Sequence, residues 1–200
     1  MKGQPDHFFR RAKAEGFEAR SVYKLSEADA KHRLLRQGQR VLDLGASPGS
    51  WAQYALPKIG PTGFLLAVDR NDPKAPLPDN AQFIRGDCLD PATADAIAPH
   101  APFDLLLSDM APNTSGIRFV DHQRSLDLAR AALAIAERVL RAGGSAFVKV
   151  FEGEDLPAFR KLFSAQFQKV SVEKPAASRN DSVELFLLGR GFRRSRATAS

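Results

Sequence analysis

Short apolar runs alternate with longer amphipathic stretches along the chain from Arg40 onward. The apolar runs predict strands at Arg40–Leu44, Gly63–Asp69, Gln82–Arg85, Phe103–Ser108, Ser145–Val150, Phe167–Glu173 and Val183–Gly189. The stretches between them predict helices at Trp51–Lys58, Ala92–Ala98, His122–Arg141 and Leu156–Ala165. The third of these helices is expected to end at Gly143-Gly144, because glycine commonly stops a helix.

This order of elements predicts one α/β fold. Strands that alternate with helices form right-handed βαβ crossovers, so we expect a Rossmann-like, mostly parallel seven-stranded sheet with helices on both faces. The last two strands lack a helix between them, which predicts one terminal antiparallel strand. Residues 1–38 are expected to form a basic helical extension packed on the core, residues 39–191 the ligand-binding domain, and residues 192–200 a basic disordered tail.

Composition narrows the class of protein. The chain has 200 residues, 44% hydrophobic and 26% charged, which suits one well-buried domain. Its single cysteine, Cys88, excludes a disulfide framework, and four scattered histidines lack ligand spacing, so no metal site is expected. No apolar run is long enough to span a bilayer, and the charged N-terminus is unlike a signal peptide. We therefore expect a cytoplasmic protein and, without a large apolar stripe, a monomer.

The charge distribution suggests a polyanionic partner. The formal net charge is +6, and the basic residues crowd both ends of the chain. They are Arg10, Arg11, Lys13, Arg20 and Lys24 at the start, and Arg190, Arg193, Arg194 and Arg196 at the end. A solvated basic surface with no nucleic-acid role is the alternative interpretation of the same residues.

A glycine turn follows the first predicted strand. Gly45 and Gly49 let the backbone approach a ligand closely, but Ser47-Pro48 stands where a dinucleotide fingerprint has its second glycine. A turn without room for pyrophosphate favours a nucleoside cofactor without phosphates, of which S-adenosylmethionine is the common one. A nicotinamide-dependent oxidoreductase is disfavoured for the same reason.

Acidic residues end the next two strands. Asp69 lies 20 residues beyond Gly49, where a carboxylate can accept hydrogen bonds from both ribose hydroxyls. Asp87 ends the third strand, where it can accept from an adenine amino group. Aspartate is also common in turns after strands, so each residue alone is weak evidence. Together with the glycine turn they predict a nucleoside site at the carboxyl edge of the sheet.

Candidate catalytic residues lie in two places: in the segment that follows the fourth strand, and in the fifth strand itself. Asp109-Met110-Ala111-Pro112 lacks the aromatic residue typical of enzymes that methylate exocyclic amines, and Cys88 is not placed as a nucleophile for base carbons. An oxygen acceptor is therefore favoured. Lys149 lies inside an apolar strand and needs a partner if it is buried, and the two carboxylates that could meet it are Asp109 and Glu184. Lys24 is a candidate fourth member, and a Lys149 that snorkels to solvent is the alternative.

These motifs resemble the RrmJ/FtsJ family of RNA ribose 2′-O-methyltransferases. The similar segments run from about Asp6 to Gly191: AKAEGFEARSVYKL, VLDLGASPGSW, VDRN, GDCLD, SDMAPNTSG, GGSAFVKVF and SRNDSVELF. The resemblance implies a class I methyltransferase fold and a catalytic tetrad of Lys24, Asp109, Lys149 and Glu184. It implies S-adenosylmethionine contacts at Gly49, Trp51, Asp69, Asp87 and Asp109, beside the turn glycine Gly45.

The resemblance also implies a substrate. It suggests a ribose 2′-hydroxyl of RNA, a uridine of 23S ribosomal RNA in the large subunit, and neither DNA nor a membrane as partner. Transfer RNA as substrate, or a non-catalytic role in ribosome assembly, remains an alternative. Two departures from the family pattern affect these expectations. Glu18-Ala19 removes a positive charge near the expected RNA entry, and Ser50 stands where glycine is common after Gly49.

Overall fold

A computed structural model describes residues 7–178 and 182–193 of the chain. Most of the expected tail, residues 194–200, lies outside the described residues. The strands are β1 Arg40–Leu44, β2 Phe64–Asp69, β3 Ala81–Arg85, β4 Phe103–Ser108, β5 Leu140–Phe151, β6 Phe167–Glu173 and β7 Glu184–Phe192. The helices are α1 His7–Ala14, α2 Val22–His32, α3 Ser50–Ile59, α4 Pro91–Ile97, α5 Arg118–Val139 and α6 Leu156–Gln166, with a 3₁₀ turn at Ala98–His100.

The strands form one seven-stranded sheet in the order β3-β2-β1-β4-β5-β7-β6. β1 to β5 are parallel to one another, and β7 is antiparallel to both of its neighbours, β5 and β6. The predicted mostly parallel sheet with a terminal antiparallel strand is therefore confirmed. The last of the described strands, β7, does not lie at the edge of the sheet, because it inserts between β5 and β6.

Helices cover both faces of this sheet, as predicted. α5 and α6 cover one face, where Leu42, Leu106 and Val148 meet Leu126 and Phe159. α2 and α3 cover the other, where the buried residues include Val41, Leu65, Leu107, Phe147, Phe186, Leu25, Trp51 and Ala55. Residues of a strand alternate between faces, so the odd positions of β1 and β5 and the even positions of β7 point toward α2 and α3.

That alternation brings charged residues to one corner of the α2–α3 face. Asp43 and Lys149 have the same parity as their buried neighbours Val41 and Phe147, and Glu184 the same parity as Phe186. Glu184 begins β7, and its register partner is Phe151, the last residue of β5. The start of an antiparallel strand thereby meets the carboxyl edge of the parallel strands, where ligands bind in such sheets.

The predicted end of the long helix was wrong. α5 ends at Val139 and β5 begins at Leu140, which pairs with Phe103 before the register of the β4–β5 ladder shifts. Gly143 has a φ of +79°, and a Cβ on Gly144 would lie 2.9 Å from the Arg141 carbonyl oxygen. The glycine pair therefore marks an irregularity inside a strand and does not stop a helix.

The same helix also begins earlier than predicted, at Arg118. Asp121 on its first turn accepts hydrogen bonds from the backbone N–H groups of Ser115 (2.7 Å) and Gly116 (3.1 Å), and from the Ser115 hydroxyl (2.8 Å). These bonds hold the pKa of Asp121 below its ordinary value, with the Ser115 N–H bond contributing most. The loop after β4 is thereby tied to the first turn of α5.

The N-terminal segment packs on α3 and on the chain near residue 177. Ala12, Val22, Tyr23 and Ala177 form a small buried cluster. The residue before α2, Ser21, accepts a hydrogen bond at its carbonyl from the Trp51 indole N–H, at 2.8 Å. Throughout residues 7–178 and 182–193, no helix combines the length and the hydropathy needed to cross a membrane.

Candidate active site

Four charged side chains meet at the carboxyl edge of the sheet, and they are the predicted tetrad. Lys24 Nζ lies 2.8 Å from Glu184 Oε2 and 3.6 Å from Asp109 Oδ1. Lys149 Nζ lies 2.9 Å from Asp109 Oδ1 and 3.8 Å from Glu184 Oε1. Each lysine thus faces both carboxylates. The four residues come from α2, the end of β4, β5 and the start of β7.

Lys149 is the most buried member of the tetrad, with 3% of its side chain exposed against 21% for Glu184. Its ammonium also donates to the Asp109 carbonyl oxygen at 2.6 Å. An ammonium has three protons, and Asp109 takes two of them. The alternative in which Lys149 snorkels to solvent is therefore wrong.

Asp43 is a buried acid of the site that the sequence analysis missed. Its side chain is only 1% exposed, and neither carboxylate oxygen has a hydrogen-bond partner among the described residues. Burial, reinforced by the charges of Asp109 and Asp69, raises the pKa of Asp43 to about 8. Its place inside the apolar run of β1, one residue from the glycine turn, was the available signal.

A cavity of about 640 Å³ lies beside the glycine turn, and we call it the glycine-loop cavity. Its walls come from the ends of β1, β2, β3 and β4 and from α5; they include Gly45, Ser47, Asp69, Asp87, Asp109, Met110, Arg124 and Asp127. Gly45 has a φ of +77°, and a Cβ there would lie 2.8 Å from the Met110 side chain. Glycine is thus required at this turn for both its conformation and the close approach.

Asp69 and Asp87 line this cavity with part of their hydrogen-bonding capacity already used. Asp69 accepts from the backbone N–H groups of Ser47 at 3.0 Å and Asn71 at 2.8 Å. Asp87 accepts from the Leu89 N–H at 3.0 Å. A carboxylate has about four acceptor sites, so each retains capacity for a ligand's hydroxyl or amino groups.

The acidic side chains at this corner of the sheet fit S-adenosylmethionine. Asp69 and Asp109 bring negative charge to the wall of a partly enclosed cavity, and the nearby Asp43 has unpartnered oxygens. A cofactor with a sulfonium and an amino group brings positive charge to these carboxylates. A pyrophosphate would bring negative charge to the same place, which disfavours a dinucleotide on grounds independent of the missing glycine.

Two residues expected at the cofactor lie outside the walls of the glycine-loop cavity. Gly49 precedes α3 with a φ of +112° and shapes the turn. The Trp51 side chain is 3% exposed and stacks on Phe147 at a centroid distance of 6.1 Å, so its indole packs in the core. Cys88 borders the cavity as a largely buried thiol, whose pKa burial raises to about 12. Such a thiol is not a nucleophile at neutral pH.

A second cavity of about 810 Å³ lies on the other side of the tetrad, and we call it the α5 cavity. Lys24 and Glu184 line it, whereas Asp109 lines the glycine-loop cavity. Its other walls include Arg20, Arg118, Phe119, Phe151, Glu152 and Val183. The tetrad therefore lies between two cavities. The glycine-loop cavity suits a molecule that donates a chemical group, and the α5 cavity is open to a molecule that accepts it.

The predicted basic residues of the N-terminal segment are distributed between structure and surface. Arg10, Arg11 and Lys13 are exposed on α1, and Arg11 pairs with Glu15 at 2.8 Å. Arg20 borders the α5 cavity and donates a hydrogen bond to the Ala177 carbonyl. Arg190 donates to the His32 carbonyl at 2.8 Å, away from either cavity.

Comparison with known protein families and sequences gives a consistent result. Residues 17–192 match the model of the FtsJ-like methyltransferase family. The chain is 44% identical over 195 residues to the ribosomal RNA large subunit methyltransferase E of Nitratidesulfovibrio vulgaris, covering 96% of this chain and 97% of that one. It is 43% identical over 190 residues to the protein of the same name from Methanothermobacter thermautotrophicus, covering 94% and 90% of the two chains.

Solved structures show the same architecture. A ribosomal RNA methyltransferase from Plasmodium falciparum superposes with a TM-score of 0.79 at 26% identity, covering 90% of this chain and 100% of that one. The fibrillarin of Aeropyrum pernix, solved with bound S-adenosylmethionine, has a TM-score of 0.58 at 18% identity, covering 84% and 76%. The second similarity concerns the fold alone.

Proposed function

This chain belongs to the FtsJ-like methyltransferase family, and from that premise we propose that it methylates a ribose 2′-hydroxyl of ribosomal RNA with S-adenosylmethionine as the methyl donor. The observation that carries the proposal is the position of the tetrad, with Lys24 and Glu184 facing the α5 cavity and Asp109 facing the glycine-loop cavity. Relatives named as large-subunit ribosomal RNA methyltransferases support the substrate.

The residues around the glycine-loop cavity hold the cofactor. Asp69 would accept from its ribose hydroxyls, Asp87 would accept from its adenine amino group, and Asp109 would face its positive charge. Gly45 and Gly49 shape the turn that these groups surround. S-adenosylmethionine supplies a methyl group on a positively charged sulfur, and the chain's own groups do the remaining work.

The tetrad orients and activates the acceptor. Methyl transfer requires the acceptor oxygen in line with the bond that breaks, so much of the acceleration comes from holding both substrates. The carbonyl and carboxylate oxygens of Asp109 take two of the three positions on the Lys149 amine, and Glu184 Oε1 lies 3.8 Å away, so the third position is left for the acceptor oxygen. As a neutral amine, Lys149 would accept the proton of the 2′-hydroxyl directly. As an ammonium, it would instead stabilise the developing oxyanion while the proton passes to solvent. Lys24 anchors the ribose or the adjacent phosphate.

We propose a uridine of 23S ribosomal RNA in the large subunit as the acceptor. A 2′-hydroxyl distinguishes RNA from DNA without any base contact, because DNA lacks the reacting atom. The exposed cations of α1 and the cavity residue Arg20 would grip the backbone. The protein would act as a monomer, in the cytoplasm where ribosomal subunits are found.

The experiment is transfer of labelled methyl from S-adenosylmethionine to undermethylated large ribosomal subunits, with free 23S RNA and transfer RNA in parallel. Label in ribosomal RNA at an alkali-resistant linkage is the expected result. Label in transfer RNA alone would overturn the substrate and leave the chemistry. Cofactor binding without label in any RNA would favour the non-catalytic role in ribosome assembly.

A further inference from the structure

One large aromatic side chain that lines the same cavity as Lys24 and Glu184 is mostly exposed. Phe119 lies on the first turn of α5 and is 66% exposed, and Ile117, two residues earlier, is 61% exposed. Large apolar side chains normally lose most of their exposure on folding, so an exposed aromatic beside a cavity marks a candidate contact site.

Phe119 continues the buried stripe of α5 beyond the sheet. His122, Leu126, Ala129 and Leu133 follow it at helical spacing, and all four are buried. The His122 ring lies 3.1 Å from the carbonyl oxygen of Phe151, where β5 ends. Phe119 lies three residues closer to the N-terminus of α5 than His122, about 4.5 Å along the helix axis, past the end of the strand that the stripe covers. The core-facing stripe therefore ends in the α5 cavity.

The α5 cavity has the composition of a site for a nucleoside. Phe119, Phe151 and Val183 form apolar wall, whereas Lys24, Arg118 and Glu184 are charged. A volume of about 810 Å³ falls in the range of small-molecule sites, which are mostly apolar with a few polar groups that fix orientation. The apolar side chains can pack against the face of a base, and the cationic side chains can attract the phosphates on either side of that base.

We propose that Phe119 is the stacking platform for the base of the nucleotide that receives the methyl group. This inference rests on the proposed function, because the acceptor ribose must reach Lys24 and Glu184 from the α5 cavity. The base is attached to the carbon next to the reacting 2′ position, so a ribose at the tetrad places its base inside the same cavity. Proteins that read single-stranded RNA commonly hold such a splayed base on an aromatic ring.

The first test uses turnover of undermethylated large subunits. Phe119→Ala should lower kcat/KM for the RNA by about 5- to 150-fold, the usual effect of removing one base-stacking ring. The loss should lie mainly in KM, and S-adenosylmethionine binding should be unchanged. Phe119→Tyr should restore turnover. Leu162→Ala, which removes a 57%-exposed side chain from α6, should change it less than twofold.

The second test measures stacking without turnover. Trp51 is the only tryptophan and is buried, so Phe119→Trp introduces an exposed fluorophore. A short oligouridylate should quench its emission and protect it from acrylamide, whereas the matched Leu162→Trp protein should respond little. Equal responses of the two variants, or no response at any oligonucleotide concentration, would overturn the stacking role, as would full turnover by Phe119→Ala. Absence of RNA methylation by the unchanged protein would instead overturn the proposed function.

Discussion

The hydroxyl oxygens of Ser21 and Ser50 lie 2.9 Å apart and share a hydrogen bond. Ser50 begins α3 directly after the glycine turn, and Ser21 immediately precedes α2, which carries Lys24. The bond therefore joins the cofactor side of the site to the helix that supplies one tetrad lysine. Glycine, which is common at position 50 in the family, could not form this bond, so Ser50 has a structural role that glycine lacks.

Loss of this bond should weaken the join between the two segments. We expect Ser50→Ala to lower the free energy of unfolding by about 1 kcal/mol, the usual net value of one hydrogen bond. Urea denaturation measures this change. A double-mutant cycle with Ser21→Ala is the control, because the second substitution should cost little once the first is present. Full additivity of the two effects would show that the serines do not interact.

Lys149→Ala should abolish methyl transfer while leaving the protein folded and able to bind S-adenosylmethionine. The substitution removes the amine between the two carboxylates, and we expect kcat to fall by about 100-fold or more. Single-turnover kinetics and calorimetric cofactor titration measure the two properties separately. Lys161→Ala removes an equal charge from the exposed face of α6 and serves as the control. Near-normal turnover of Lys149→Ala would exclude Lys149 from the chemistry.

Asp43 predicts a specific pH dependence of stability. Its pKa rises from 3.8 in the unfolded chain to about 8 in the fold, chiefly through burial. Below about pH 4 the carboxyl is protonated in both states. Between pH 4 and 8 only the unfolded state ionises, so the free energy of unfolding falls as the pH rises, and it levels off above about pH 8.

Asp43→Asn removes this titration. The difference in unfolding free energy between Asp43→Asn and the unchanged protein should grow in favour of the variant from pH 4 to 8, by up to about 5 kcal/mol. Urea denaturation across this pH range, without cofactor, measures the difference. Asp95→Asn, at an exposed position of α4, is the control. A difference that is constant across the range would mean that Asp43 is ionised in the fold.

The cations of α1 should contribute to RNA affinity through counterion release. Replacing Lys13 by alanine should lower the slope of log affinity against log salt by about one unit, and adding Arg10→Ala should lower it by about one more. Filter binding to 23S RNA over a range of salt concentrations measures the slope. Arg130→Ala, which breaks an exposed pair with Asp127 on α5, should leave it unchanged. An unchanged slope in the α1 variants would place the RNA path elsewhere.

Local pattern predicted the elements of this fold well, and it failed where long-range contacts decide. β1, β4 and β6 begin and end where their apolar runs do. The Gly143-Gly144 pair misled because glycine serves both helix ends and strand irregularities, and only the pairing of Leu140 with Phe103 distinguishes them. Periodicity also carries no information on strand order, so the insertion of β7 between β5 and β6 could not be foreseen.

The same distinction applies to the site. Lys149 and Glu184 stood out because a charge within an apolar strand requires a partner, and the fold supplies that partner. The Trp51 indole fills the core, because the side-chain direction in α3 depends on the packing of the helix, and the expected contact of Trp51 with the cofactor stays a prediction. The exposure of Phe119 was also beyond sequence reasoning, since it arises from where β5 ends relative to α5.

The place of β7 within the sheet has a consequence for how the protein is made. β6 pairs only with β7 in the described sheet, so it has no partner there until β7 has been synthesised. Glu184 begins that strand, and its partner Lys24 lies near the other end of the chain. Contacts between such distant residues form slowly, because a long loop must close first. A nascent chain on the ribosome therefore lacks the tetrad until β7 has been synthesised, and methyl transfer can serve as an assay for the finished fold.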